Sequence, residues 1–386
     1  MSGSFLFPDR QEKGWDHGGP APGETPRCHL DASTTVNPFP SPLLVARLRS
    51  ALEDAGHYPD PAAGEALRAI GKRFSLSPAC VAAGGGATLL LYALLGSGSF
   101  SRIVSFSPVF SEYLRAADVS GRSLLAVPPA RRLSWEGEVG AGLVSLFGGR
   151  DLPWGIDWES LPQILAGDLV VLVNPVNPTG QEISRQEVLA LFRRVSGSGG
   201  ALLVDESFQD FLGNRSSVLE QAGEGPLYVL RSLTKITGLP GVRAGFLAGP
   251  EREARRLRER LGPWALGTVE QSLVLWTMEE ERQRTGFGYR PEAKELLCSE
   301  LFAAGWAVLP GEGPFVLASP NMGPRECREK VQKLRERGVR LRLASGFGLS
   351  GGEALLRLGF EALSRPGELL GQFWGRPGER AGAIHP

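Results

Sequence analysis

Apolar residues along this chain come in two rhythms. One is a set of short, mainly apolar runs: Val81–Ala83, Arg102–Phe106, Leu124–Val127, Leu169–Val173 (LVVLV, unbroken), Ala201–Val204 and Leu227–Leu230. Continuous apolar runs of this length are what parallel strands covered on both faces require. Gly245–Ala248 reads as a further strand, antiparallel to these. The other rhythm is helical. Pro42–Ala55 places Leu43, Leu44, Leu48 and Leu52 on one face, with Ser41 as cap and Pro42 near the first turn. Gly64–Phe74, Leu89–Leu95, a helix opened by Pro108–Tyr113, Ser184–Val195 and Glu251–Leu261 follow the same period. In the Gly-, Pro- and Trp-rich stretch 128–167 the pattern predicts one strand, Gly142–Phe147, and one helix, Trp158–Ala166. Strand and helix alternate, which predicts an α/β fold: a three-layer, doubly wound, mainly parallel sheet.

From Trp264 the pattern changes. A long helix is expected from Thr268 to Arg284, continuing in charged residues to about Glu300. Short strands follow near Trp306–Leu309 and Phe315–Ala318, then a helix Arg325–Arg337, a strand near Leu341 and a strand Leu355–Gly359. This is a smaller α+β C-terminal domain. Leu30–Asn37 reads as an extended piece ended by Pro38 and Pro40, and the last residues, 375–386, as frayed. The expected division is an N-terminal arm, 1–41, packing on the small domain; a large domain, 42–262; and the small domain, 263–386.

Composition narrows the function. Lysine plus arginine equals aspartate plus glutamate, 42 each, so no long-range field favours nucleic acid or a membrane surface. The four cysteines, Cys28, Cys80, Cys298 and Cys327, are widely spaced, which argues against a zinc site or a disulfide framework and suits a reducing, cytoplasmic setting. No apolar run is long enough for a membrane span, and no secretory signal is expected.

The polar residues that matter stand directly after the buried runs: Gly84–Thr88, Pro108–Tyr113, Asn177, Asp205 and Lys235. In an open α/β sheet that is the carboxyl edge, where ligands bind. Taken singly, each has an ordinary explanation, such as a strand-end cap or a surface loop. Together they describe a set of donors. Lys235 lies in a glycine-rich turn with Ser232 before it and Arg243 after it. An amine there can attack a carbonyl, while a hydroxyl and a forked cation suit a phosphate. An aldehyde carrying a phosphate is pyridoxal 5'-phosphate. Such a cofactor needs a carboxylate at its ring nitrogen (Asp205), a donor to its ring hydroxyl (Asn177) and a flat side chain over its ring (Phe110). It also needs a phosphate cup, here the amides of Gly86, Ala87 and Thr88 with Ser232 and Arg243. Arg357, in the last expected strand, is the candidate for a substrate carboxylate.

These motifs resemble the fold-type I, class I/II aminotransferase superfamily over nearly the whole chain. NPVNPTG (174–180), VDESFQDF (204–211) and SLTK with Arg243 stand in that family's order, with spacings of 28 from Asn177 to Asp205 and 30 from Asp205 to Lys235. Within it the chain is most similar to the threonine-phosphate decarboxylases, with the histidinol-phosphate aminotransferases next. The likeness rests on HGG (17–19), HYPD (57–60), VLRSLTK (229–235), LPGVRAGF (239–246) and Phe208, where most aminotransferases have tyrosine. The resemblance implies a homodimer in which Tyr58 reaches the cofactor phosphate of the neighbouring subunit, and a phosphorylated amino acid as substrate. It implies Arg357 at the substrate α-carboxylate, Arg342, His17 and Gly18 near the substrate phosphate, Asn37 lining the site and Phe208 beside the cofactor. Departures are the turn Gly84–Leu89, where the family usually reads GNGxTE, and Thr35, where it usually has asparagine. The Arg342-to-Arg357 spacing is one residue longer than in the decarboxylases. Decarboxylation and transamination share these motifs, and a PLP-binding protein without turnover is a third reading.

Overall fold

The computed structural model describes residues 18–21, 23–25, 27–97, 99–130, 155–156, 158–279, 291–309, 311–348 and 352–374. Its larger sheet is built from β2 (Val81–Gly84), β3 (Arg102–Phe106), β4 (Ser123–Val127), β5 (Asp168–Val173), β6 (Ala201–Asp205), β7 (Leu227–Ser232) and β8 (Gly245–Ala248). The spatial order is β2-β8-β7-β6-β5-β3-β4. β8 is antiparallel to both neighbours, and the other pairings are parallel. The expected α/β doubly wound architecture is therefore present, with the antiparallel strand where the sequence places it.

Alternation along these strands divides the core between the two faces of the sheet. Val104, Val170, Leu172, Leu202, Val204 and Val229 pack with α2 (Gly64–Phe74), α5 (Arg185–Gly197) and α7 (Thr268–Met278). Ile103, Leu169, Val171, Leu203, Tyr228 and Leu230 pack with α3 (Ala87–Leu95), α4 (Ser111–Val119) and α6 (Glu251–Leu261). Both faces are covered, so the strands are apolar on both sides apart from a few paired polar residues such as Arg231, which is what the apolar runs encode. α5 starts where it does because Ser184 and Glu187 cap each other reciprocally. That arrangement contributes about 1 kcal/mol and sets where the 174–183 loop ends.

A second, antiparallel sheet has the order β9 (Ala307–Leu309), β10 (Val316–Ser319), β13 (Leu356–Leu358), β12 (Arg342–Leu343). It is backed by α8 (Glu292–Ala303), α9 (Pro324–Glu336) and α10 (Pro366–Trp374), whose Leu301, Leu334 and Phe373 are buried. The N-terminal segment is tied to it: β1 (Leu30–Asp31) pairs in parallel with β11 (Val339–Arg340). Among the described residues no helix is long and apolar enough to cross a membrane, and no cluster of three or more His, Cys, Asp or Glu side chains is placed to hold a metal ion.

Some expectations are corrected. Trp158–Ala166 is irregular rather than helical. Pro162 removes an amide donor from its middle, and Arg194 and Arg102 bond to the carbonyls of Trp158 and Gln163 instead. In α1 (Pro42–Glu53) Leu44 and Leu48 are buried, but Leu43 and Leu52 lie at the edges of that stripe and are 61% and 59% exposed. The Ser41 side chain makes no capping bond, leaving Pro42 to start the helix. The helix begun at Thr268 ends at Met278. The expected strand 142–147 and the expected helical residues 280–290 lie outside the described residues, as do 375–386.

Candidate active site

The carboxyl ends of β2, β3, β5, β6 and β7 lie along one edge of the large sheet, because all five run in the same direction. β6 ends at Asp205. Its buried carboxylate accepts from the Ser207 amide at 2.9 Å through one oxygen and from Tyr113 Oη through the other. Tyr113 lies in the first turn of α4, three residues after Phe110, and the two rings meet edge-on at 6.1 Å. Burial first, and then the Asp205 charge, push the Tyr113 phenol well above its ordinary value, so it stays a donor. The site therefore holds an acid whose orientation is fixed from two sides.

Next to β6, β7 ends at Ser232 and leads into the turn carrying Lys235. The Lys235 Nζ lies 4.1 Å from the centre of the Phe208 ring. Burial lowers its pKa from 10.5 to about 8; Asp205 opposes the shift, and Arg357, Arg243 and Arg342 add to it. Its residue surface is only partly covered, yet the amine is ringed closely enough by protein for desolvation to lead. This shift has a consequence for stability. The folded pKa lies below the unfolded one, so between pH about 8 and 10.5 the unfolded chain holds a proton that the folded chain has lost. Stability of the cofactor-free protein is thus expected to rise with pH across that window, and Lys235→Met to remove that rise. Urea unfolding midpoints measured across the window check this; identical slopes for the two proteins would contradict it.

The glycine turn after β2 forms a cradle. Gly86 caps α3 with φ +92°, a conformation that side chains other than glycine's strain to adopt. A Cβ there would sit 2.6 Å from Arg243 Nη2, so glycine lets the guanidinium close in. The Gly86 amide itself turns to the Gly84 carbonyl at 2.6 Å, which leaves the amides of Ala87 and Thr88 heading the helix. Ser232 Oγ and Thr234 Oγ1 are buried, 3.0 Å apart. A helix start, a cation and paired hydroxyls make an anion site.

Across from Lys235 lie two arginines. Arg342 and Arg357 are direct partners in the β12–β13 pairing, and both are buried. Arg357 Nη1 is 3.5 Å from Asn177 Oδ1, its Nη2 donates to the Ser33 carbonyl, and its Nε has no partner among the described residues. Burial, then Arg342, push the Arg357 guanidinium well below its ordinary pKa. A guanidinium starts high enough to remain charged, so the shift reflects an electrostatic burden that an incoming anion would relieve.

The segment 32–37 threads between these groups. The Asn37 amide donates to the Lys235 carbonyl at 2.8 Å, and its side chain donates to the Ile236 carbonyl at 3.0 Å. Asn37 therefore braces the lysine turn as well as bordering the site. Gly359 is essential to this threading, since a Cβ there would fall 1.6 Å from the Thr34 carbonyl oxygen.

The fold thus links Lys235 with Asp205 and Phe208, Asn177 with Arg357, and Arg342 with Phe110, and sets Gly86, at the head of the helix that opens with Ala87 and Thr88, against Arg243, with Ser232 beside Thr234. Gly18 packs on Ser33, whose carbonyl holds Arg357. His17 lies outside the described residues. Tyr58 is 85% exposed and stacks on Trp264 at 4.9 Å. Sequence reasoning missed Tyr113, which bonds Asp205, and Phe347, whose ring centre lies 4.0 Å from the Arg342 guanidinium carbon. Tyr113 carried a usable signal, a phenol one helical turn after the candidate stacking ring. Phe347 carried none that pointed to both arginines, because Arg357 is brought to Arg342 only by strand pairing.

The family model described as "Aminotransferase class I and II" matches residues 33–369. The chain belongs to that family. It is 29% identical over 299 residues to a threonine-phosphate decarboxylase of a Sinorhizobium species, covering 76% of this chain and 79% of the relative. It is 27% identical over 317 residues to a histidinol-phosphate aminotransferase of Desulfitobacterium hafniense, covering 80% and 82%. Among solved structures, the L-threonine-O-3-phosphate decarboxylase of Porphyromonas gingivalis superposes with a TM-score of 0.66 at 20% identity, over 87% of this chain and 98% of that one. The resemblance read from the motifs and the fold expected from them are both borne out.

Proposed function

We propose that this protein is a pyridoxal 5'-phosphate enzyme that decarboxylates L-threonine O-3-phosphate, giving carbon dioxide and (R)-1-aminopropan-2-ol phosphate for cobalamin biosynthesis. The observation that carries the reading is the pair of buried guanidiniums, Arg342 and Arg357, facing each other on adjacent strands beside a lysine of lowered pKa. An amino acid with one anion at each end answers both. The curated relatives named as threonine-phosphate decarboxylases favour this substrate among the amino acids that fit.

The cofactor fits what the chain offers. The Gly86–Arg243 cradle and the Ser232–Thr234 hydroxyls suit its phosphate, Lys235 its aldehyde, Asp205 its ring nitrogen, Asn177 its ring oxygen and Phe110 its ring face. Thr35 Oγ1 and Ser207 Oγ are buried without partners among the described residues, the state of polar groups awaiting a ligand. When bound, the cofactor supplies an electron sink for the pair left on the substrate Cα. Arg357 holds the α-carboxylate and Arg342 the phosphate, which fixes the direction of the carboxylate bond. Phe208 and Phe110 keep water from the reacting carbon. Lys235 Nζ, once free of the aldehyde, is the group that can deliver to Cα the proton replacing the departing carboxylate.

Three further readings belong to this proposal. The chain divides into an arm, 1–41, a large cofactor-binding domain, 42–262, and a small domain, 263–386. It acts as a cytoplasmic homodimer. Exposed Tyr58, Trp264, Leu43, Leu52 and Phe39 support a subunit contact, with Tyr58 reaching the second subunit's phosphate cradle. Transamination is the competing outcome, because 2-oxoglutarate also carries two anions and a histidinol-phosphate aminotransferase is among the relatives. Incubation with L-threonine O-3-phosphate is expected to release carbon dioxide stoichiometrically, with no glutamate formed when 2-oxoglutarate is added. Glutamate without carbon dioxide would make the protein an aminotransferase.

A further inference from the structure

Arg342 and Arg357 pose an electrostatic problem. Like charges directly opposite in an antiparallel pair repel, and here both are withdrawn from water. One fully buried ring lies against both. The Arg342 guanidinium carbon is 4.0 Å from the centre of the Phe347 ring, and that of Arg357 is 5.9 Å from it. Phe315 is a second ring at 5.8 Å from Arg357, and Phe110 a second ring at 5.8 Å from Arg342. An aromatic face attracts a cation through its quadrupole without neutralising it. Unlike a carboxylate, a ring in that place steadies the guanidiniums without neutralising them.

The turn that carries Phe347 is clamped. It is the single helical turn Ala344–Phe347, which starts directly after β12. Gly348 closes it with φ +72°, and the Gly348 amide bonds back to the Ser345 carbonyl at 2.9 Å. The Ala344 amide donates to the Leu355 carbonyl at 2.9 Å, two residues before Arg357. Gly352 packs so closely behind that a Cβ would come within 2.6 Å of the Ser345 nitrogen. The Phe347 carbonyl accepts from the Val109 amide at 2.9 Å, joining this turn to the loop that carries Phe110. Ring, arginines and cofactor-facing loop are thus one connected unit.

We propose that Phe347 is a positioning residue for substrate selection. Its ring sets the relative placement of Arg342 and Arg357 so that one ligand with two anions is favoured over a ligand with one. This rests on the reading of the two arginines given above, and it selects a class, amino acids with a second anionic group at the far end, rather than one compound.

The test uses the cofactor-loaded protein and a probe that lacks an amine and so cannot react: 3-phosphonopropionate, compared with propionate. Affinities are measured by calorimetry for the unaltered protein, Phe347→Leu, Phe347→Met and Phe347→Tyr. Leu and Met fill nearly the same volume but differ in shape and flexibility, so a packing defect affects the two differently whereas loss of the ring affects them alike. The unaltered protein is expected to bind the two-anion probe more tightly than propionate. Both ring-removing variants should lose about tenfold in affinity for 3-phosphonopropionate and keep their affinity for propionate, with the visible cofactor absorbance unchanged. Phe347→Tyr, which keeps the ring, should retain the preference. Equal loss for both probes, or no loss for the two-anion probe, overturns the proposal, as does a lack of preference in the unaltered protein. Failure of the functional reading looks different: no carbon dioxide from L-threonine O-3-phosphate, with the preference for 3-phosphonopropionate and its dependence on Phe347 intact.

Discussion

Lys235→Ala is expected to remove both the visible absorbance that the purified protein owes to its cofactor bond and, to about one part in ten thousand, its turnover. The reasoning begins with burial. Lys235 has its pKa brought to about 8, so about a tenth of it is neutral at pH 7, far more than of an exposed lysine. The Phe208 ring, 4.1 Å from Nζ, steadies the protonated form without binding it as a carboxylate would. The amine can therefore serve as nucleophile in one state and proton donor in the other, and alanine can do neither. The phosphate cradle does not depend on the lysine, so the variant should still bind the cofactor non-covalently, with a spectrum like that of the free aldehyde. An unchanged visible band in Lys235→Ala, or turnover within tenfold of the parent, would refute the assignment.

Behind the site lies the second large effect. Arg231→Met is expected to destabilise the fold by about 3–5 kcal/mol, the range for removing one partner of a buried ion pair. Arg231 is 1% exposed in β7, one residue before Ser232. It reaches Glu206 at 2.8 Å and Asp210 at 2.9 Å. Its Nη2 also donates to Ser217 Oγ at 3.0 Å, and Ser217 donates onward to Glu206 at 2.7 Å. Burial pushes the Glu206 carboxyl up, and Arg231 leads the groups that oppose this. Without Arg231 the folded-state pKa of Glu206 rises further above its unfolded value. The folded chain then holds a proton that the unfolded chain releases, so stability falls as pH rises through that range. The deficit of Arg231→Met should accordingly be smallest in acid and grow toward neutrality. Denaturant midpoints of the cofactor-free proteins measure it. A combined Arg231→Met, Glu206→Gln, Asp210→Asn variant should recover part of the loss, since no buried charge is left alone. A deficit independent of pH would sink this account. The cluster also ties the residues after Asp205 to the strand leading into Lys235, so cofactor affinity should weaken in step with stability.

Much of this arrangement was legible in the chain before any coordinate. Runs such as LVVLV can be solvent-free on both faces only inside a parallel sheet, and a sheet of that kind collects its polar residues at one edge. Lys235, Asp205 and Asn177 could be nominated because each comes after a buried run, and Arg243 because it follows the lysine turn with a cation suited to phosphate. The failures have equally local causes. Trp158–Ala166 has helical apolar spacing, but Pro162 and two distant arginines compete for its backbone. Leu43 and Leu52 have the right period for a core face but sit at the edge of a stripe only wide enough for Leu44 and Leu48.

Hydrophobic period and the residue types at strand ends, both local properties of the chain, determined the α/β layering, the carboxyl-edge site and the kind of cofactor it suits. Tertiary structure alone decided which distant groups would meet: Tyr113 on Asp205, Asn37 under the lysine turn, Arg231 on Glu206, and Phe347 against two arginines. These contacts arise from strand register and chain crossing. Arg231 and Glu206 are 25 residues apart and Phe347 lies near its arginines in sequence, whereas Tyr113 and Asp205 stand 92 apart and Asn37 and Ile236 199. No spacing rule carries information over such a distance; it is supplied by burial and by the requirement that each buried polar group find a partner.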